Sequence, residues 1–197
     1  MTRREITRSD ILPTAEYASR RAELRRGVVA LKKLRRIDVG PFATFYFENR
    51  ATMWHQIHEM LYIEKGGEAQ IADELAAYNP LVPDGSELVS TVMFEIDDPV
   101  RRARVLARLG GVENHAFLSF AGEKIKGRAE TDTERTSEEG KASSVQFIHF
   151  PFTPTQIAAF RQPATQIIIG FDHPEYGHMA VMPEAVRGAL SEDFDAG

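Results

Sequence analysis

The chain reads as an α+β fold with a mainly antiparallel sheet, and three observations predict it. Apolar residues recur at helical spacing through the first eighty or so positions. From Ala116 onward the texture changes to aromatic and β-branched runs separated by turn residues, the mark of strands joined by hairpins. At 197 residues, 43% hydrophobic and 27% charged, the composition is that of a chain able to bury one sizeable core. About six to seven strands and about six helices are expected, led by a long basic helix. One domain over 1–197 is expected, with a basic segment at 1–36 and an acidic body at 37–197.

The elements follow in order. Ser9-Asp10-Ile11-Leu12-Pro13 reads as a helix start, with capping oxygens followed by a proline. Tyr17, Leu24, Val28, Leu31 and Leu34 then form one stripe, while Arg20, Arg21, Arg25, Arg26, Lys32, Lys33, Arg35 and Arg36 fill other positions. Val39-Gly40-Pro41 is turn chemistry, and FATFYF (Phe42 to Phe47) predicts a strand ending at Glu48. Asn49 caps the next helix, Gly66-Gly67 breaks it, and Ile71, Leu75 and Tyr78 stripe a further helix that stops at Asn79-Pro80. Leu88 to Ile96 alternates as a strand, Asp98-Pro99 opens a helix and Gly110-Gly111 closes it. Ala116 to Phe120, Lys124 to Thr131 and Ser143 to Phe150 read as successive antiparallel strands. Thr153-Pro154 starts a short helix, Ile167 to Phe171 and Met179 to Met182 read as strands, and Met182-Pro183 leads into the last helix.

Charge is distributed unevenly. Residues 1–36 carry 11 Lys+Arg against 4 Asp+Glu, so a +7 end is joined to a −12 body within a chain of net charge −5. A basic helix can meet phosphate, anionic lipid or an acidic protein surface, or pack on its own acidic domain. The net negative charge argues against nucleic acid. With no cysteine, disulfides, thiol catalysis and cysteine-ligated clusters are excluded on this chain. The start, MTRREITRSD, has no apolar stretch of the signal-peptide kind, and no window is apolar enough to span a membrane, so a cytoplasmic location is expected.

Several polar groups are candidates for chemistry. In WHQIHEML, His55, His58 and Glu59 fall off the stripe centred on Ile57, and the histidine spacing is wrong for a zincin. Arg50 and Glu64 lie on that stripe, so Arg50 must be paired or line a pocket. The loop from Asp132 to Lys141 holds Arg135 and Lys141 as anion-capable groups, but the pattern of a phosphate loop is absent. His149 shares a strand face with Val145 and Phe147, while Asp172, His173, Tyr176 and His178 sit in a later hairpin loop. No metal site is expected; the alternative is a three-imidazole set of His149, His173 and His178. No G-x-S-x-G is present to support serine catalysis.

Four stretches together resemble an uncharacterised bacterial family, domain of unknown function 3501: FENRATMWHQIHEM, ELAAYNPLVP, ERTSEEGKASSVQFIHFPFT and FDHPEYGHMAV. The family commonly has Gln-Ile-x-Glu-Met at the helix, so the resemblance singles out Gln56 and Glu59 rather than the two histidines. Members are often encoded beside rubrerythrin-like di-iron proteins and iron–sulfur oxidoreductases, which implies a role near oxidative-stress or electron-transfer chemistry.

The first expectation is therefore a cytosolic accessory protein that meets another protein, or a second copy of itself, through the basic helix and the Glu134 to Lys141 hairpin. The alternative is a small-molecule-binding protein or enzyme, metal-dependent in one version, with a pocket lined by Glu48, Arg50, Arg135, Lys141, His149 and His173. No cofactor is expected.

Overall fold

The computed structural model describes residues 4–130 and 141–195. Among them six α-helices and nine strands form two antiparallel sheets. The first sheet runs β1 (Arg36–Val39), β2 (Ala43–Phe47), β3 (Glu87–Phe94), β7 (Val145–Pro151), β6 (Arg128–Ala129). The second runs β5 (Glu123–Lys126), β4 (Ala116–Phe120), β8 (Ile168–Phe171), β9 (Met179–Val181). The helices are α1 (Thr14–Lys33), α2 (Arg50–Glu64), α3 (Ile71–Tyr78), α4 (Pro99–Leu106), α5 (Pro154–Arg161) and α6 (Glu184–Ser191).

The caps read from the sequence are in place at three helices. Asn49 accepts from Thr52 N, Asp98 from Arg101 N and Thr153 from Gln156 N, each supplying an acceptor to an otherwise orphaned N–H. The first helix differs from expectation. Asp10 caps a single tight turn at Arg8–Asp10 by accepting from Thr7 N, and α1 begins after Pro13. Its end differs too, because Arg36 to Val39 pairs with β2 as a strand instead of continuing the helix.

Strand alternation divides each buried strand between two environments. Phe45, Phe47, Leu88, Val92, Ile148 and Phe150 point into one large core, which they share with Leu118, Ile169 and Phe171 of the second sheet. The Phe45 and Phe171 rings are 5.1 Å apart, so the two sheets close on each other through aromatic contact. The opposite face of the first sheet, through Val89, packs on a smaller core of Met53, Ile57, Leu61, Ile71 and Leu81 beneath α2 and α3. The expected single strand from Lys124 to Thr131 is two strands in two sheets. At Gly127 the chain leaves β5 for β6, and a Cβ there would stand 2.6 Å from Ile148 Cγ2, so only glycine fits the crossing.

The basic helix lies across α2. Arg21 grips Glu59 with both ends of its guanidinium (2.8 and 2.7 Å), and the Tyr17 hydroxyl donates to the same carboxylate at 2.6 Å. Arg21, working against burial and joined by Tyr17, holds the Glu59 carboxyl down at about 2 from its usual 4.5. A depressed acid contributes stability that is present above its unfolded value and lost as pH falls toward its folded one. The wild-type protein is therefore expected to lose about 1–2 kcal/mol between pH 4.5 and 2 through this group, after discounting for partial exposure. Glu59→Gln should remove that part of the slope in urea melts taken across the same range.

Candidate functional site

Several polar residues of α2 turn out to be structural. His58, expected off the core face, is 2% exposed because the segment before α1 covers that flank of α2. Its Nδ1 donates to Trp54 O at 2.7 Å and its Nε2 accepts from Leu12 N at 3.0 Å, which defines a neutral tautomer, and burial pushes its pKa down. Arg50 pairs with Asp10 at 3.0 Å. Glu64 is exposed.

The loop residues divide in the same way. The Tyr176 hydroxyl accepts from Phe42 N and Ala43 N and donates to Val39 O, so it ties the β8–β9 loop to the β1–β2 turn. His178 packs on Gly40, where a Cβ would lie 2.6 Å from its ring. His173 Nε2 donates to Gly110 O and its Nδ1 accepts from Glu175 N. Asp172 is exposed between His115 and Lys124, which hold its carboxyl below the usual value, Lys124 the more strongly. His149 stands on the first sheet, its Nδ1 3.0 Å from Glu87 and its Nε2 2.9 Å from Glu130. His149 is thus in a different sheet from the loop that carries His173 and His178. Among the described residues no group of three or more His, Asp or Glu is placed to hold a metal ion. Lys141 is exposed, and Arg135 lies outside the described residues.

Burial pushes the His149 imidazole down, and the two carboxylates outweigh it, so its pKa is raised. Stability from a raised histidine is full below the usual 6.5 and is lost as pH rises through the folded value. His149→Gln should therefore cost more at pH 6 than at pH 9, a difference to be read from paired thermal melts.

One cavity gathers polar groups without using them up. On the outer face of the first sheet, under α2 and α3, a pocket of about 430 Å3 is lined by Tyr46, Glu48, Thr91 and Phe147 from the strands. Gln56 and Met53 of α2 and Lys32 of α1 complete the part that matters chemically. The strand register builds the floor, because Tyr46, Thr91 and Phe147 stand in one row across β2, β3 and β7. Glu48 extends the adjacent row, its N–H donating to Val89 O. The Glu48 residue is only 4% exposed, yet Thr91 donates to Oε1 alone (2.8 Å), and Oε2 is buried without a hydrogen-bond partner. Of the six residues expected to line one pocket, Glu48 lies in this cavity, and Gln56, which the family resemblance singled out, lies there with it. The structure adds Thr91, Lys32 and the apolar walls, and sends Arg50, His149 and His173 elsewhere.

The architecture defines a class before it defines a relative: a two-sheet α+β protein with a mostly apolar pocket on the outer face of one sheet. The model of the family described as "Protein of unknown function (DUF3501)" matches residues 5–194, and the chain belongs to that family. It is also similar to a protein of unknown function from Burkholderia pseudomallei K96243 whose crystal structure is solved. That similarity has 37% identity and a TM-score of 0.89, over 96% of this chain and 99% of the other. No curated protein matches.

Proposed function

We propose that this protein binds a small organic molecule in the pocket between α2, α3 and the outer sheet face. The observation that carries the reading is Glu48. Glu48 lines a cavity walled largely by apolar side chains and keeps one carboxylate oxygen buried without a donor, which is costly unless a ligand or water supplies the missing bond. The volume lies in the range of small-molecule sites, and the mixture of apolar walls with a few directed polar groups is what such sites use to fix orientation. The described lining supplies two opposite charges, a few hydrogen-bonding groups and apolar walls, and the reading is of binding.

The test is a metabolite library screened by thermal shift and followed on labelled methionine methyls. Met53 and Met93 both line the pocket, and a true ligand should move both signals. Met93 is 37% exposed, so Met93→Trp should fill the mouth without disturbing the core and abolish the response. Ligands that leave both methyls unmoved, or a library without a single binder, would sink the reading.

A second reading rests on α1. This helix of 20 residues buries Tyr17 alone; Val29 is 53% exposed and Leu34, just past its end, 47%, near Arg25, Arg26 and Lys33. Such a face suits an acidic protein partner. The family context makes rubrerythrin-like and iron–sulfur proteins the first to try. An accessory role of this kind requires Arg25→Glu with Arg26→Glu to abolish capture of the partner; capture that survives the charge reversal excludes it.

A further inference from the structure

The charge pattern of the pocket says what kind of molecule fits it, an inference that rests on the small-molecule reading above. Of the described residues lining the pocket two, Glu48 and Lys32, carry charge, and the charges are opposite. Glu48 is deep, with Oε2 unpartnered. Lys32 belongs to the last turn of α1 and is half-buried. Among the described residues none bonds to or pairs with its amine. The two do not satisfy each other, since no ion pair joins them, and Tyr46, Met53, Tyr78 and Phe147 line the same pocket.

A singly charged ligand cannot suit this arrangement. An amine would satisfy Glu48 but face Lys32 as a like charge, and an acid would do the reverse. A neutral donor would fill the hydrogen bond and leave both charges uncompensated. We infer that the ligand is a zwitterion. A protonated amine bonds Glu48 Oε2 at the inner end, an anionic group reaches Lys32 at the rim, and an apolar spacer lies against the aromatic and methionine walls. Gln56 and the Tyr46 ring lie on the same lining and add polar and flat contacts to the spacer. A carboxylate and a phosphate would both serve at the rim, so the probes carry each in turn.

The probes are straight-chain ω-amino acids of increasing length, the matching ω-aminoalkyl phosphates, and the amine and the carboxylic acid of each length alone. They are titrated while the Met53 and Met93 methyls are followed. At one spacer length the zwitterion should bind at least about tenfold more tightly than either singly charged relative. Glu48→Gln keeps the Thr91 bond and should erase the preference for the amine. Lys32→Met should erase the preference for the anion, and because no hydrogen bond or ion pair holds the amine among the described residues, it carries the test alone if Glu48→Gln fails to fold. An amine that binds as tightly as the amino acid, or a Lys32→Met protein with unchanged selectivity, overturns the inference. So does a series that stays out of the pocket while another class of molecule enters it, and in that case the small-molecule reading stands. A pocket that neither the series nor the metabolite library enters overturns both.

Discussion

Arg35→Met should lower the unfolding free energy by about 3–5 kcal/mol at neutral pH, the largest single-site effect expected in this protein. Arg35 is 2% exposed, and its guanidinium donates to Phe47 O and Glu48 O (3.0 Å each) and pairs with Asp193, itself 9% exposed. Three distant parts of the chain meet there: the start of β1, the end of β2 and the segment after α6. Removing the cation strands a buried carboxylate and two carbonyl oxygens. Burial already pushes the Asp193 carboxyl up, against the pull of Arg35. An acid raised in the folded state costs stability above its unfolded pKa and stops doing so once protonated, so the deficit of Arg35→Met should shrink as pH falls. Adding Asp193→Asn should recover part of the loss in urea melts and leave the share due to the two carbonyls. A single variant within about 1 kcal/mol of wild type would mean that the pair is solvated.

Tyr176→Phe should cost about 2–4 kcal/mol, although it deletes one oxygen atom. That oxygen serves two backbone N–H groups and one carbonyl of the β1–β2 turn at 3.0, 2.9 and 2.8 Å, and the residue is 3% exposed. The substitution leaves the ring and its contacts with Phe94 and Phe171 in place, so the loss reports the hydrogen bonds and not a cavity. The β1–β2 turn should also exchange its amide hydrogens faster, since the loop from the second sheet is what pins it. A loss confined to ligand binding, with stability unchanged, would instead return Tyr176 to the list of binding residues.

The reach of the sequence differs sharply between these groups. Glu48 stood out because it closes an aromatic strand just before the Asn49 cap, and Gln56 because the family resemblance singled it out. Thr91 fell on the correct face of its strand by alternation alone. Lys32 was one of many basic residues on a helix, and nothing local distinguishes it from Lys33, which is exposed. His149 offered a similar ambiguity. Its place on an apolar strand face was legible, whereas Glu87, 62 positions away, and Glu130, 19 away, became its partners only through the pairing of β3, β7 and β6.

By itself the sequence determined the fold class, the helices that begin at Asn49, Asp98-Pro99 and Thr153-Pro154, the alternation of most strands, and the absence of thiol chemistry. These follow from rules that act within about one turn of helix or two residues of strand, so the chain carries them locally. Only the tertiary structure decided that Gly127 passes the chain from one sheet to the other, that Arg35 finds Asp193 across 158 positions, and that Glu48 faces a cavity with one oxygen unpaired. Burial and pairing are properties of what packs over a residue, and in a sheet whose neighbours are distant in the chain that cover comes from segments no local pattern can name.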